Sequence, residues 1–246
     1  MQISAKDAAL RERRFFTGMG IMLFLVAFIG FSRTFYLDPI LPDMPKPGEP
    51  FYYTVHGPVF TLWIALIAAQ PWLIRRGNYQ LHRQLGWFGL VVAIAVVTTG
   101  LWGALLLASG QANMVQTGLP PKQGWATPFT SMMTFSVLVA VGIWKRKDAA
   151  THKRAMILAT IGMMGAPLAR WPVIGDWPPS WMRFVLELMI VAVAIYDWRK
   201  LRRIHAVTLW GGLLLVVSHR LIKPAVWKSD GWMQFTDWIV RAVGLA

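Results

Sequence analysis

The sequence predicts an all-α fold: a polytopic membrane helix bundle of seven transmembrane helices with a cytoplasmic N-terminus and a short interfacial helix on the outer face at the C-terminal end. Three observations predict it. Apolar residues make up 56% of the 246 residues and charged residues only 15%, where soluble domains carry about 25% charged residues. Apolar runs recur at roughly the 20 residues that a helix needs to cross a bilayer core about 30 Å thick. Lys and Arg gather in alternate loops, as they do where cytoplasmic loops carry the positive excess.

The predicted spans are about 16–37, 55–74, 85–108, 128–144, 155–174, 182–198 and 205–222, followed by a tail, 224–246. Together they form one integral membrane domain, 1–246. The first follows Arg11, Arg13 and Arg14, as a signal peptide would, but it is too long for one and ends at Phe35-Tyr36-Leu37 without a small-residue cleavage site. It reads as a retained span. The third, GWFGLVVAIAVVTTGLWGALLLA, is the cleanest. The fifth is interrupted by Gly162, Gly165 and Pro167 and is expected to kink there. The proline-rich loop 38–54 is expected to be stiff, and loop 109–127 carries one charge, Lys122. In the tail, Trp232, Phe235, Trp238, Ile239 and Ala242 fall at helical spacing among Asp230, Asp237 and Arg241, the pattern of an interfacial helix.

Threading the chain through seven spans puts Lys6, Arg11, Arg13, Arg14, Arg75, Arg76, Arg83, Lys145, Arg146, Lys147, Lys153, Arg154, Arg199, Lys200, Arg202 and Arg203 on one side. Arg33, Lys46, Lys122, Arg170, Arg183, Arg220, Lys223, Lys228 and Arg241 remain for the other. The richer side is the cytoplasmic one. The net charge of +14 is then topology and contact with anionic lipid, and nucleic acid is excluded as a partner. The expected location is the bacterial inner membrane.

Cysteine is absent, which removes thiolate ligands, iron–sulfur clusters and cysteine nucleophiles. No GxSxG, HExxH or Walker A string is present. The histidines are the chemical signal. His56, His82, His152 and His205 each open an apolar segment, and His219 ends the segment that His205 begins. The topology puts His82, His152 and His205 in an inner layer and His56 and His219 in an outer one. Imidazole ligates haem iron and other transition metals at neutral pH. On a regular helix His205 and His219 share a face about four turns apart, roughly 21 Å of rise. That separation suits two haems, the inner one held by His205 with His82 or His152 and the outer one by His219 with His56. The inner three alone would suit a non-haem metal. Histidines flanked by Arg and Lys would serve lipid headgroups equally well.

Buried charge needs partners. Glu187 lies inside the sixth span, and Arg170 and Arg183 are its candidate partners. Arg170 could instead hold a haem propionate or a quinone. Asp197 is placed to orient His205 or His152 through a ring nitrogen, or equally to pair with Arg199 or Lys200. Gln70 is expected to bond across helices. Met156, Met163 and Met164 read as packing, and Gly86, Gly89, Gly100 and Gly103 as points of close helix approach.

The strings HGPVFTLW at His56, LHRQLGW at His82, THKRAMILATI at His152 and HAVTLWGG at His205 resemble a group of bacterial multi-pass membrane proteins of uncharacterised function over nearly the whole chain. In style the chain is also similar to b-type membrane cytochromes of the cytochrome b561 group. That second resemblance implies haem b, one or two per chain, between histidines of opposed helices. Three functions are therefore open: electron transfer through bis-His haem with a quinone or redox partner, a non-catalytic accessory subunit of a larger membrane complex, and a non-haem enzyme with a His-bound metal.

Overall fold

The computed structural model describes residues 5–37, 40, 50–112, 120–171 and 178–245. Most of loop 38–54, the middle of loop 109–127 and the end of the fifth predicted span lie outside them. Every described element is helical: α1 (Ala5–Phe31), continued by a π-helical turn at Ser32–Tyr36; α2 (Pro50–Arg75); α3 (Tyr79–Ala108); α4 (Pro121–Gly124); α5 (Ala126–Trp144); α6 (Ala149–Ile161); α7 (Gly165–Leu168); α8 (Pro179–Leu201); α9 (Ala206–Val217), continued by a π-helical turn at Ser218–Ile222; α10 (Lys223–Val226); and α11 (Asp230–Ala242).

Among the described residues four stretches are long and apolar enough to cross a membrane: Lys6–Tyr36, Thr54–Arg75, Tyr79–Ala108 and Pro121–Trp144. The chain is a multi-span helical bundle of membrane type. Its outward surface is apolar, as a lipid solvent requires. On α3, Val91 and Ile94 are exposed, and on α5, Val137. Phe184, Leu188, Val191 and Ile195 form an exposed stripe along α8, the spacing of one helix face.

The helices start earlier than the apolar runs do, because capping side chains set their ends. Asn78 caps α3 by accepting from the Leu81 N–H at 3.1 Å. Asp148 caps α6 by accepting from the N–H groups of Ala150 and Thr151. Both carry their helix several residues into the basic loop.

Helix α1 packs along α2, α2 along α3, α3 against α5, and α5 against α6. Helix α6 also meets α1, α2, α8 and α9, so it is the central post. Thr151, Arg154, Ala155 and every residue of Ile157–Ile161 are buried. Helix α6 ends at Ile161, and α7 follows after a turn, so the break expected near Gly165–Pro167 is present. Small residues allow the backbones to approach. A methyl group on Gly20 of α1 would meet the Ile67 carbonyl of α2 at 2.5 Å. Gly100 and Gly103 of α3 receive Met132 and Tyr52, whereas Gly86 faces open space and Gly89 makes ordinary contact only. Met163 and Met164 are buried in the core, and Met156 packs against it.

A second apolar cluster caps one end. Ala104, Leu107 and Ala108 of α3 meet Trp125, Ala126, Trp232 and Val240 there. The predicted tail helix is thus present as α11, and it is docked rather than free: Trp125 Nε1 donates to Thr236 Oγ1 at 2.8 Å, and Trp232 Nε1 donates to the Lys122 carbonyl at 3.0 Å.

Candidate functional site

The Lys- and Arg-rich segments meet at one end of the bundle. Arg13 donates to the Tyr79 hydroxyl at 2.9 Å, which ties the start of α1 to α3. Glu12 accepts from both Lys153 of α6 and Lys200 of α8. Arg146, in the turn before α6, lies over the Trp87 ring of α3 at 6.0 Å. At the heart of this end is an ion pair between Arg154 and Asp197 that is closed to solvent, at 1% and 0% exposure. Arg154 Nε donates to Asp197 Oδ1 at 2.8 Å, and Arg154 Nη1 donates to the Ala150 carbonyl. Asp197 Oδ2 accepts from Thr208 Oγ1 at 2.6 Å and from the His205 main-chain N–H at 3.2 Å. Every arm of the pair is answered, so α6, α8 and α9 are locked together. Asp197 therefore does not orient an imidazole ring, as its place in the chain predicts. It holds the backbone of His205.

The inner histidines divide into two groups. His205 is the cap of α9, with an extended backbone, and its Nδ1 accepts from the Val207 N–H at 3.3 Å. A ring whose Nδ1 accepts is protonated on Nε2 and presents no lone pair there. His152 Nδ1 bonds the Gly142 carbonyl at 2.8 Å, so it carries the proton and Nε2 is left with the lone pair. His82 lies near His152 and Arg83 and bonds the Gln70 main-chain carbonyl; among the described residues its buried Nδ1 has no hydrogen-bond partner. Among the described residues the Gln70 side chain does not make the expected bond through its oxygen, since Oε1 is also buried without a partner there. Among the described residues no group of three or more His, Asp or Glu side chains could hold a metal, so His82, His152 and His205 do not form a three-imidazole site.

In the other layer His56 Nδ1 lies 2.9 Å from Thr99 Oγ1. That hydroxyl gives its own proton to the Ala95 carbonyl at 2.7 Å, so His56 Nδ1–H is the donor and Nε2 carries the lone pair. The ring stacks between Tyr52 and Phe60 at 5.2 and 6.1 Å. Arg170 acts on His56 through its charge, lies over Phe31 at 5.4 Å and donates to the Ala166 carbonyl at 2.9 Å. It does not meet Glu187, whose partner is Arg220: the guanidinium grips both carboxylate oxygens, at 2.5 and 2.7 Å. Helix α9 returns beside α8 and brings Arg220 to the carboxylate, and the planar fork of Arg matches its two oxygens. His219 lies in the π-helical turn Ser218–Ile222, and His205 stands before the helix, so the regular-helix argument for a shared face does not carry across this segment.

The hairpins α2–α3 and α5–α6 turn on the same pattern, a relation that does not emerge from the histidine strings taken singly. Arg75-Arg76-Gly77-Asn78 is followed by His82-Arg83, the His four positions after the Asn, and Lys145-Arg146-Lys147-Asp148 by His152-Lys153 at the same spacing. In both, the Asn or Asp caps the second helix, and its carbonyl receives the histidine N–H, at 3.2 and 2.9 Å. The repeat explains why His82 and His152 arrive together.

Two depressions on the surface are described by their linings. One of about 430 Å³ is lined by Ala108, Ser109, Lys122, Asp237, Val240, Arg241 and Leu245. The other, about 310 Å³, lies between α1 and α2 over Ile21, Phe24 and Trp72. Neither is lined by a histidine. No protein-family model, curated protein or solved structure matches this chain.

Proposed function

We propose that the chain is a bacterial inner-membrane electron carrier of the b-type cytochrome kind, crossing the bilayer seven times with its N-terminus cytoplasmic. The observation that supports it is the proton arrangement on His56 and His152. Each is fixed through Nδ1–H to an oxygen, and each keeps a lone pair on Nε2. That is the state in which an imidazole ligates a metal, with the second nitrogen anchored to set the ring's direction. The two lie in different layers, one in α2 and one in α6. His56 and His152 would each ligate a haem iron in their own layer, with His219 the remaining outer imidazole and His82 the inner one. Haem supplies the one-electron chemistry when bound. The chain's own residues, Thr99 and the Gly142 carbonyl, orient the imidazoles. His205, Asp197 and Glu187 are given structural roles.

The seven-crossing topology draws on the exposed apolar stripe of α8 and on the apolar segment Ala206–Leu221. A quinone or a membrane redox partner would exchange the electrons.

An oxidised-minus-dithionite-reduced spectrum of the detergent-purified chain tests the proposal, with haem quantified. The expected result is a haem-b band that falls by about half in His56→Ala and in His152→Ala. No band in protein made with ample haem overturns it. A second reading is favoured by one observation: His82 presents Nδ1, the nitrogen crowded by its own Cβ, which suits a small cation better than a porphyrin. Metal analysis of the same sample separates the two, since a bare cation on His82 and His152 gives metal without the band.

A further inference from the structure

The geometry points to a binding site for the phosphodiester headgroup of an anionic phospholipid, built from the two repeated hairpin turns. Arg75 and Arg76 stand exposed at one turn, with Arg83 exposed in the first turns of α3 beyond it, and Lys145, Arg146 and Lys147 at the other. The contact of Arg146 with Trp87 brings the second turn onto the helix that follows the first. The acid of these turns, Asp148, is committed to capping α6 and to the Thr151 hydroxyl, at 2.6 Å from Oδ2. The Arg and Lys side chains are therefore not neutralised from within the turns.

Indole rings set the depth. Trp72, Trp87 and Trp144 are 44%, 63% and 74% exposed, too open for core residues. Each lies under a cation: Arg76 over Trp72 at 5.1 Å, Arg146 over Trp87 at 6.0 Å and Lys145 over Trp144 at 4.4 Å. Tryptophan settles at the boundary between headgroups and acyl chains. A guanidinium laid on the ring is thereby held at phosphate height; Arg146 gives one N–H to the Ile143 carbonyl at 3.3 Å and keeps its others for a ligand. Basic pockets between helix ends of this kind recognise anionic headgroups, and the planar fork of Arg matches two phosphate oxygens. The remaining basic turn, Arg199–Arg203, differs. Lys200 is spent on Glu12, and among the described residues the turn carries neither the repeated cap nor a cation held over a ring. The charge of the whole rim attracts anionic lipid in general; the paired turns give one headgroup a defined seat. This inference does not depend on haem.

Native mass spectrometry of the full chain in detergent, titrated with phosphatidylglycerol or phosphatidylcholine of identical acyl chains, tests it. The wild type is expected to retain phosphatidylglycerol preferentially. Arg76→Gln/Lys145→Gln/Arg146→Gln is expected to weaken that binding roughly tenfold or more, and Arg199→Gln/Arg202→Gln/Arg203→Gln, which removes the same charge from the same end, far less. Trp87→Leu keeps every charge and is expected to weaken binding as well, which serves should the triple variant fold poorly. Equal losses in the two triple variants overturn the proposal in favour of general surface charge. Equal retention of the two lipids by the wild type overturns it outright. Displacement by millimolar inorganic phosphate would overturn it in favour of a free-anion site.

Discussion

Arg154 and Asp197 are paired out of reach of solvent, and neither leaves a polar atom unanswered. The pair ties the central helix α6 to α8, and Thr208 brings in α9. Removing one partner strands a buried charge, which costs about 3–5 kcal/mol, whereas replacing both with apolar side chains is close to neutral. Arg154→Met and Asp197→Leu are each expected to lower the midpoint of thermal unfolding in detergent sharply. The double variant is expected to recover most of the loss. Additive losses would show that the two side chains act separately.

The topology has a direct test, because the chain has no cysteine to remove first. Single cysteines at Lys147 and Arg202 are expected to react with a membrane-impermeant maleimide only in inverted vesicles or after permeabilisation. One at Lys122 is expected to react in intact spheroplasts. Labelling of Lys147→Cys and Lys122→Cys from the same side would remove the odd number of crossings between α4 and the turn before α6.

Asp148 links stability to pH. The Thr151 hydroxyl and the N–H groups at the start of α6 hold its carboxyl below the ordinary value of 3.8. A carboxylate with a depressed folded-state pKa stabilises above the unfolded value, and that contribution is lost as pH falls through the folded one. Asp148→Asn is therefore expected to be less stable than wild type at neutral pH, and the difference is expected to close below about pH 4. Asp148 is exposed, so the effect is small. Thermal unfolding of both proteins across that range reads it. A difference that persists in acid would assign the effect to shape rather than charge.

The helices are legible in the sequence because lipid asks for long apolar runs, and those runs are explicit between 16 and 108. The partners of buried charges are not. Arg154 sits in the string HKR and reads as one more basic residue at a membrane edge, yet α6 enters the bundle before that residue and carries it inside. Glu187 has Arg170 and Arg183 as its neighbours in the topology, and meets Arg220 because the chain returns along α9 beside α8. His205 and His219 share a face only on one regular helix, and capping at one end and a π-helical turn at the other remove that register. The repeated turn is present in the sequence as Arg/Lys-Arg-x-Asn/Asp followed by His, and becomes visible once the two hairpins are set side by side.

The C-terminal helix depends on one aromatic cluster. Trp125 stacks on Trp232 with ring centroids 4.6 Å apart, and Phe129 and Phe235 close the group. Lys122 and Asp237 bridge its rim at 2.5 Å, but both are exposed, and such pairs contribute little. The aromatic contact contributes more, since truncating a buried Trp to Ala costs about 3–5 kcal/mol. Trp232→Ala is therefore expected to release α11, so that trypsin cuts at Arg241 and Lys228 while α1 to α9 stay protected. Asp237→Asn is expected to leave the cleavage pattern unchanged. Release of α11 by Asp237→Asn as readily as by Trp232→Ala would show that the ion pair, and not the aromatic cluster, holds the helix in place.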